Sequence, residues 1–137
     1  MWWIYALLSA LFAALTAIFA KIGIKNVDTD LATAIRTAVI LVLAWAIAWV
    51  RGGTTTIMTL SKQNIIFLVL SGLATGLSWI FYFKALQIGK VSQVAPVDKL
   101  SVAIAIIFSI VFLGETLTIK MAIGALLIIT GTFVLIF

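Results

Sequence analysis

Ile65-Ile66-Phe67-Leu68-Val69-Leu70-Ser71-Gly72-Leu73-Ala74-Thr75-Gly76-Leu77-Ser78-Trp79-Ile80-Phe81-Tyr82-Phe83 is a run of 19 residues without a charge. A helix needs about 20 predominantly apolar residues to cross a bilayer core, and this stretch supplies them. Working outward, four comparable runs occupy most of the remaining chain: Trp2–Ala20, Leu31–Val50, Pro96–Leu113 and Ile119–Phe137. Only short polar connectors lie between them. Backbone groups in lipid must be satisfied internally, which leaves helices or a closed barrel. Barrel strands alternate over about 10 residues, whereas these runs are long, continuous and rich in Leu, Ile and Ala. The expectation is an all-α integral membrane protein, one transmembrane domain over 1–137 with helices at approximately 2–22, 31–50, 64–84, 96–113 and 119–137.

Composition points the same way and excludes several functions. Hydrophobic residues make up 65% of the chain and charged residues 9%, against about 25% charged in an ordinary soluble domain. The chain has no cysteine and no histidine, so thiolate chemistry is impossible and the commonest metal ligand and general base is missing. No deep carboxylate pair and no phosphate-cradling glycine loop occurs. The reading is therefore not an enzyme: no catalytic residue, no metal site and no cofactor is expected. The net charge of +5 does not call for nucleic acid, because Lys and Arg in a membrane chain gather in loops and set orientation. The first run lacks the basic start of a secretory signal and is expected to be a permanent helix.

The connectors carry the orientation signal. The first, Gly23 to Asp30, ends in two good helix N-caps. Arg51-Gly52-Gly53 closes the second run, and Thr54 to Asn64 reads as a polar or interfacial loop. Gly89 to Gln93 joins the third and fourth runs, with Pro96 expected near a helix start, where its missing N–H costs little. Gly114 to Thr118 joins the last two. With alternating crossings, one membrane face receives Lys21, Lys25, Lys84, Lys90 and Lys99, and the other Arg51, Lys62 and Lys120; Arg36 lies inside the second run. The five-to-three split favours a cytoplasmic first face, with the N-terminus outside and the C-terminus inside. It is also small enough to permit insertion in both orientations.

Tyr82-Phe83-Lys84-Ala85-Leu86-Gln87-Ile88-Gly89 leads into Val94-Ala95-Pro96, then Gly114-Glu115-Thr116-Leu117-Thr118, then Gly124-Ala125-Leu126 and Gly131. This order resembles the EamA domain of the drug/metabolite transporter superfamily across essentially the whole chain. Arg36 fits the same pattern. The resemblance implies inverted repeats around a central substrate cavity and transport of a small solute. Most superfamily members carry two such domains, and this chain carries one. An odd number of helices inverts a second copy automatically, as such transporters require. A single copy attains that arrangement as an antiparallel homodimer. Asp98-Lys99 departs from the common pattern and looks like a subgroup of short, single-domain bacterial and archaeal members.

The candidate substrate path or gate comprises Arg36, Trp79, Tyr82, Lys84, Asp98 and Lys99. An ionised residue at membrane depth is costly and marks function by default, but Arg36 is also within snorkelling reach of an interface. Asp98 and Lys99 form either the polar end of a path or an interfacial acid and anchor. An approach of Arg36 to Asp98, with Lys84 and Lys99 as rival partners, would make a gate. Trp79, Phe81, Tyr82 and Phe83 either line a cavity, where an aromatic face could hold a cation or an apolar metabolite, or form an interfacial belt. Trp2, Trp3, Tyr5, Trp45 and Trp49 read as belt anchors. Glu115 reads as part of a turn. Gly72 and Gly76, the Ser101, Ala105 and Ser109 stripe, and Gly124 and Gly131 offer small-residue packing faces, within one chain or between two.

The expected partners are membrane lipid, a small-molecule solute and a second copy, possibly antiparallel, in the cell's inner (cytoplasmic) membrane. Nucleic acid is not among them. The rival reading is a non-transporting membrane subunit or scaffold that packs against a larger membrane partner.

Overall fold

The computed structural model describes residues 1–136. Its helices are α1 (Trp2–Gly23), α2 (Thr29–Val50), α3 (Lys62–Ile88), α4 (Val91–Asp98), α5 (Leu100–Leu113) and α6 (Ile119–Ile136), with a 3-10 segment at Gly53–Thr59. No strand occurs among the described residues. Taking α4 and α5 together, five helical stretches are long and apolar enough to cross a membrane. At 1.5 Å per residue, the 22 residues of α2 extend about 33 Å, the thickness of a hydrocarbon core.

Local chemistry sets the helix ends. Asp28 caps α2, its Oδ1 accepting the N–H groups of Asp30 and Leu31 at 3.0 and 2.9 Å. Such a cap satisfies donors that the first turn leaves without partners. Ser61 Oγ accepts Asn64 N–H ahead of α3, and Thr118 Oγ1 accepts Met121 N–H at the start of α6. Gly114 ends α5 in a left-handed conformation (φ 68°), which costs a glycine nothing and a residue with a Cβ about 1 kcal/mol or more. The carbonyl of Ser109 takes up the N–H groups of both Gly114 and Glu115 there.

Three boundaries differ from the sequence reading. The segment from Thr54 is not a plain loop, since Gly53–Thr59 winds into a 3-10 helix with threonine hydroxyls donating to carbonyls three residues back. Helix α3 runs four residues past Lys84, to Ile88, so Lys84 sits inside a helix rather than at its end. The fourth run begins at Val91, which puts Pro96 in a helix interior instead of the first turn. There the ring removes the donor that Ser92 C=O would otherwise receive. The helix breaks two residues after the following Val97, at Lys99, and resumes as α5. The expected extension of the last helix to Phe137 lies outside the described residues.

The chain divides into two compact units, Phe19–Gln87 and Met1–Ile18 with Ile88–Phe137. In the second, α6 packs on both α4 and α5. The buried Thr132 hydroxyl donates to Ile128 C=O in its own helix at 2.8 Å, and lies 3.2 Å from Pro96 C=O. In the first, Ile24, Phe83 and Leu86 are buried almost completely. Lys21 Nζ donates to Leu86 C=O, and Gln87 Nε2 donates to Val27 C=O at 3.0 Å, tying the α1–α2 connector to the end of α3. Thr33 and Thr37 return their hydroxyl protons to carbonyls one turn back in α2. Most large apolar side chains of all the long helices are exposed, the pattern of a surface whose solvent is lipid.

Candidate functional site

Arg36 lies in the second turn of α2, above the buried Thr29 and Thr33. Trp79 and Phe83 stand four residues apart on α3 and so share one helix face. The register of α2 on α3 brings the three together. The Arg36 guanidinium carbon is 3.3 Å from the centroid of the Trp79 ring and 5.6 Å from that of Phe83. Trp79 meets Phe83 edge to face at 5.5 Å and Tyr82 likewise at 5.4 Å. The quadrupole of an aromatic face attracts a cation, by about 2 kcal/mol where water is excluded. Arg36 is thus held by an indole rather than by an acid. Within the Phe19–Gln87 unit, among the described residues, no carboxylate pairs with it.

A cavity of about 350 Å³ opens beside this stack. Arg36 and Phe83 form one side, and Phe19, Gly23, Ile24, Val27 and Ile35 contribute to the remainder. Its walls are apolar except for the arginine. A neighbouring cavity of about 410 Å³ is lined by Lys21, Ile24, Lys25, Asn26 and Gln87. Ile24 borders both. A third hollow, of about 820 Å³ and lined by Trp45, Ala48, Gly53, Ile57 and Leu68 among others, holds no ionisable group.

The residues singled out from the sequence fall into separate groups. Arg36, Trp79 and Tyr82 belong to one cluster. Asp98 and Lys99 form an ion pair at 3.2 Å at the α4–α5 break, with both side chains in substantial contact with solvent or lipid. Lys84 is exposed on α3. One face of Trp79, considered above as a seat for a cationic solute, is covered by Arg36. Of the packing residues, Ser109 donates its hydroxyl to Ile106 C=O within its own helix. A Cβ added at Gly72, Gly76, Gly124 or Gly131 would meet nothing within 4 Å, so these glycines are not sites of close helix approach within their own units.

The sequence reading did not nominate Phe19, Gly23, Ile24 or Gln87 for a site, and placed Lys21 and Lys25 only as orienting charges. The signal available was Lys21 in the last turn of α1, followed by Lys25 and Asn26 on the short connector after it. A positive φ of 62° at Asn26 shows how sharply that connector turns.

Comparisons with known proteins agree with this architecture. The profile of the EamA-like transporter family matches residues 1–137. An uncharacterized transporter in the cobO 3' region of a Sinorhizobium species is 46% identical over 134 residues, covering 98% of this chain and 95% of that protein. An uncharacterized protein of Methanocaldococcus jannaschii is 33% identical over 79 residues, 58% of each chain. No solved structure gives a significant match. With five apolar helices of bilayer length and a family match from end to end, the chain is a multi-pass membrane protein that belongs to the EamA-like transporter family.

Proposed function

We propose that the protein carries a small metabolite or drug-like solute across the cell's inner membrane by alternating access, as a homodimer of five-helix units. The observation that carries this reading is Arg36. A permanent charge is kept inside an apolar helix, stacked on an indole, at the edge of a cavity of ligand size. Ligand pockets occupy roughly 300–1,000 Å³ and are largely apolar with a few placed polar groups. An anchor serving only to fix the helix at an interface needs no such cavity.

The homodimer follows from repeat logic. Alternating access uses two inverted halves, and one five-helix unit is one half. The Sinorhizobium relative is matched over 95% of its own length, which suits a transporter assembled from five-helix units. The open faces at Gly72 and Gly76 would admit close approach by a second helix. An antiparallel arrangement makes the two copies inverted. In the same proposal, Asp98 leaves Lys99 for Arg36 in the alternative state, forming a gate.

The test is a solute-uptake and toxicity-resistance screen in cells that lack the protein, complemented with the unsubstituted chain and with the Arg36→Gln and Asp98→Asn variants. Transport predicts a solute whose accumulation depends on the protein and falls with Arg36→Gln. A gate predicts that Arg36 and Asp98 are coupled in a double-mutant cycle on the rate; simple addition removes the gate. Full tolerance of both neutral substitutions, with no solute affected, would instead favour a scaffold that packs against a larger membrane protein.

A further inference from the structure

We infer that the Arg36 cavity binds an organic anion, a single carboxylate or phosphate carried on an apolar body; this names the substrate class of the site proposed above and rests on that reading. The guanidinium carbon lies over the Trp79 ring at 3.3 Å from its centroid, a separation short enough to require that the planar group approach the ring by its flat face. Its five N–H donors lie in the plane of the group, so the stack leaves them for an acceptor at the edge. A planar fork of donors fits a carboxylate or phosphate with two parallel hydrogen bonds. Arginine remains charged at any physiological pH, so the site is permanently cationic.

The unit's own acids do not fill that role. Asp28 is engaged by the N–H groups of Asp30 and Leu31, and Asp30 is exposed in the first turn of α2. The neighbouring cavity adds charge of the same sign, since Lys21 and Lys25 line it and only Ile24 is common to both. A cation approaching the Trp79 face that Arg36 covers would meet the guanidinium first. Meanwhile Phe19, Ile24, Val27, Ile35 and Phe83 offer an inorganic ion nothing in exchange for its hydration, whereas an apolar body gains by burial there. Cation, apolar wall and basic neighbouring cavity together select a molecule with an anionic head and an apolar remainder. A free solute and an anionic lipid both have that chemistry.

The test uses the full chain in nanodiscs of phosphatidylcholine, with Trp2, Trp3, Trp45 and Trp49 each changed to Phe so that Trp79 alone reports by fluorescence. The probes are hexanoate, hexylammonium and hexanamide, equal in apolar length and different in charge. Hexanoate is expected to give a saturable change that the other two neither produce nor displace. Arg36→Gln should weaken hexanoate roughly 10- to 100-fold, the loss of hydrogen bonds to a charged group, and Arg36→Lys should weaken it less. Equal responses to hexanoate and hexanamide, or no saturable response to hexanoate, overturn the inference. So does a correctly folded Arg36→Gln variant that binds hexanoate as before. If Arg36→Gln does not fold, the three-probe comparison on the Arg36 protein decides alone. Loss of the hexanoate response when phosphatidylglycerol is added to the disc identifies the anion as a lipid and upholds the chemistry. Hexanoate binding without any solute flux would sink the transport reading and leave the anion site standing. Flux of a cation without hexanoate binding would do the reverse.

Discussion

The guanidinium of Arg36 over the indole of Trp79 sets the energetics at the residue scale. A charge in an apolar helix must be compensated, and here the compensation is an aromatic quadrupole. A half-buried stack of this kind contributes about 1–2 kcal/mol. In a thermal-stability double-mutant cycle, Arg36→Gln and Trp79→Leu are therefore expected to couple by about 1–2 kcal/mol. Strict additivity would show that the stack contributes nothing. Arg36 itself was legible in the sequence, because a charge in an otherwise apolar run stands out. Trp79 was nominated too, as an aromatic face able to hold a cation, but its pairing with Arg36 was not legible. Trp79 lies on another helix, and only the register of α2 against α3 decides which side chain meets the guanidinium. Ile24 was hidden for a different reason. In a chain that is 65% hydrophobic, one more apolar residue carries no signal of a cavity wall.

Elements are governed by where helices start and stop. The fourth crossing begins with polar Ser92 and Gln93, which read as a connector, and its N-cap Lys90 makes no side-chain capping bond. Nothing local therefore announced the start of α4. Its consequence is a proline inside a helix and a break at Lys99. Thr132, reaching from α6, places its hydroxyl 3.2 Å from the carbonyl of that proline. Thr132→Val keeps the shape and removes this hydroxyl. It should cost about 0.5–1 kcal/mol of stability, typical of a hydrogen bond between membrane helices, and speed amide exchange around Val97 to Val102. Thr132→Ser should retain most of the protection. Unchanged exchange in the valine variant would show that α6 does not steady the break. By contrast, Gly114 and the Asp28 cap follow rules readable from sequence: a left-handed turn favours glycine, and an aspartate before an apolar run caps it.

For the molecule as a whole, the decisive quantity is exposed apolar surface. Trp2, Phe12, Val42, Phe67, Phe112 and Val134 are all exposed, and between them they represent all five bilayer-length stretches. Five bilayer-length helices were legible because an uninterrupted apolar run of about 20 residues has one stable solution in lipid. Assembly was not, because the same small residues serve packing within a chain or between chains. The open space at Gly72 and Gly76 leaves room for a second helix on that face, as the proposed dimer requires. Gly76→Leu is expected to leave the single chain folded and shift a dimer toward monomer in native-like lipid, read by mass. A dimer as stable as before would remove this face from the interface. Topology offers a second check: compartment-sensitive reporters on the two termini should report opposite sides for each orientation present. The central claim is that this repeat moves solute, and purified protein in sealed vesicles tests it most directly. A panel of organic anions of graded apolar length is loaded inside, and release is followed against empty vesicles and against Arg36→Gln. The account predicts saturable release of at least one anion, abolished or strongly slowed by Arg36→Gln. Release equal to that of empty vesicles for every anion, from protein shown to be folded and inserted, would contradict it.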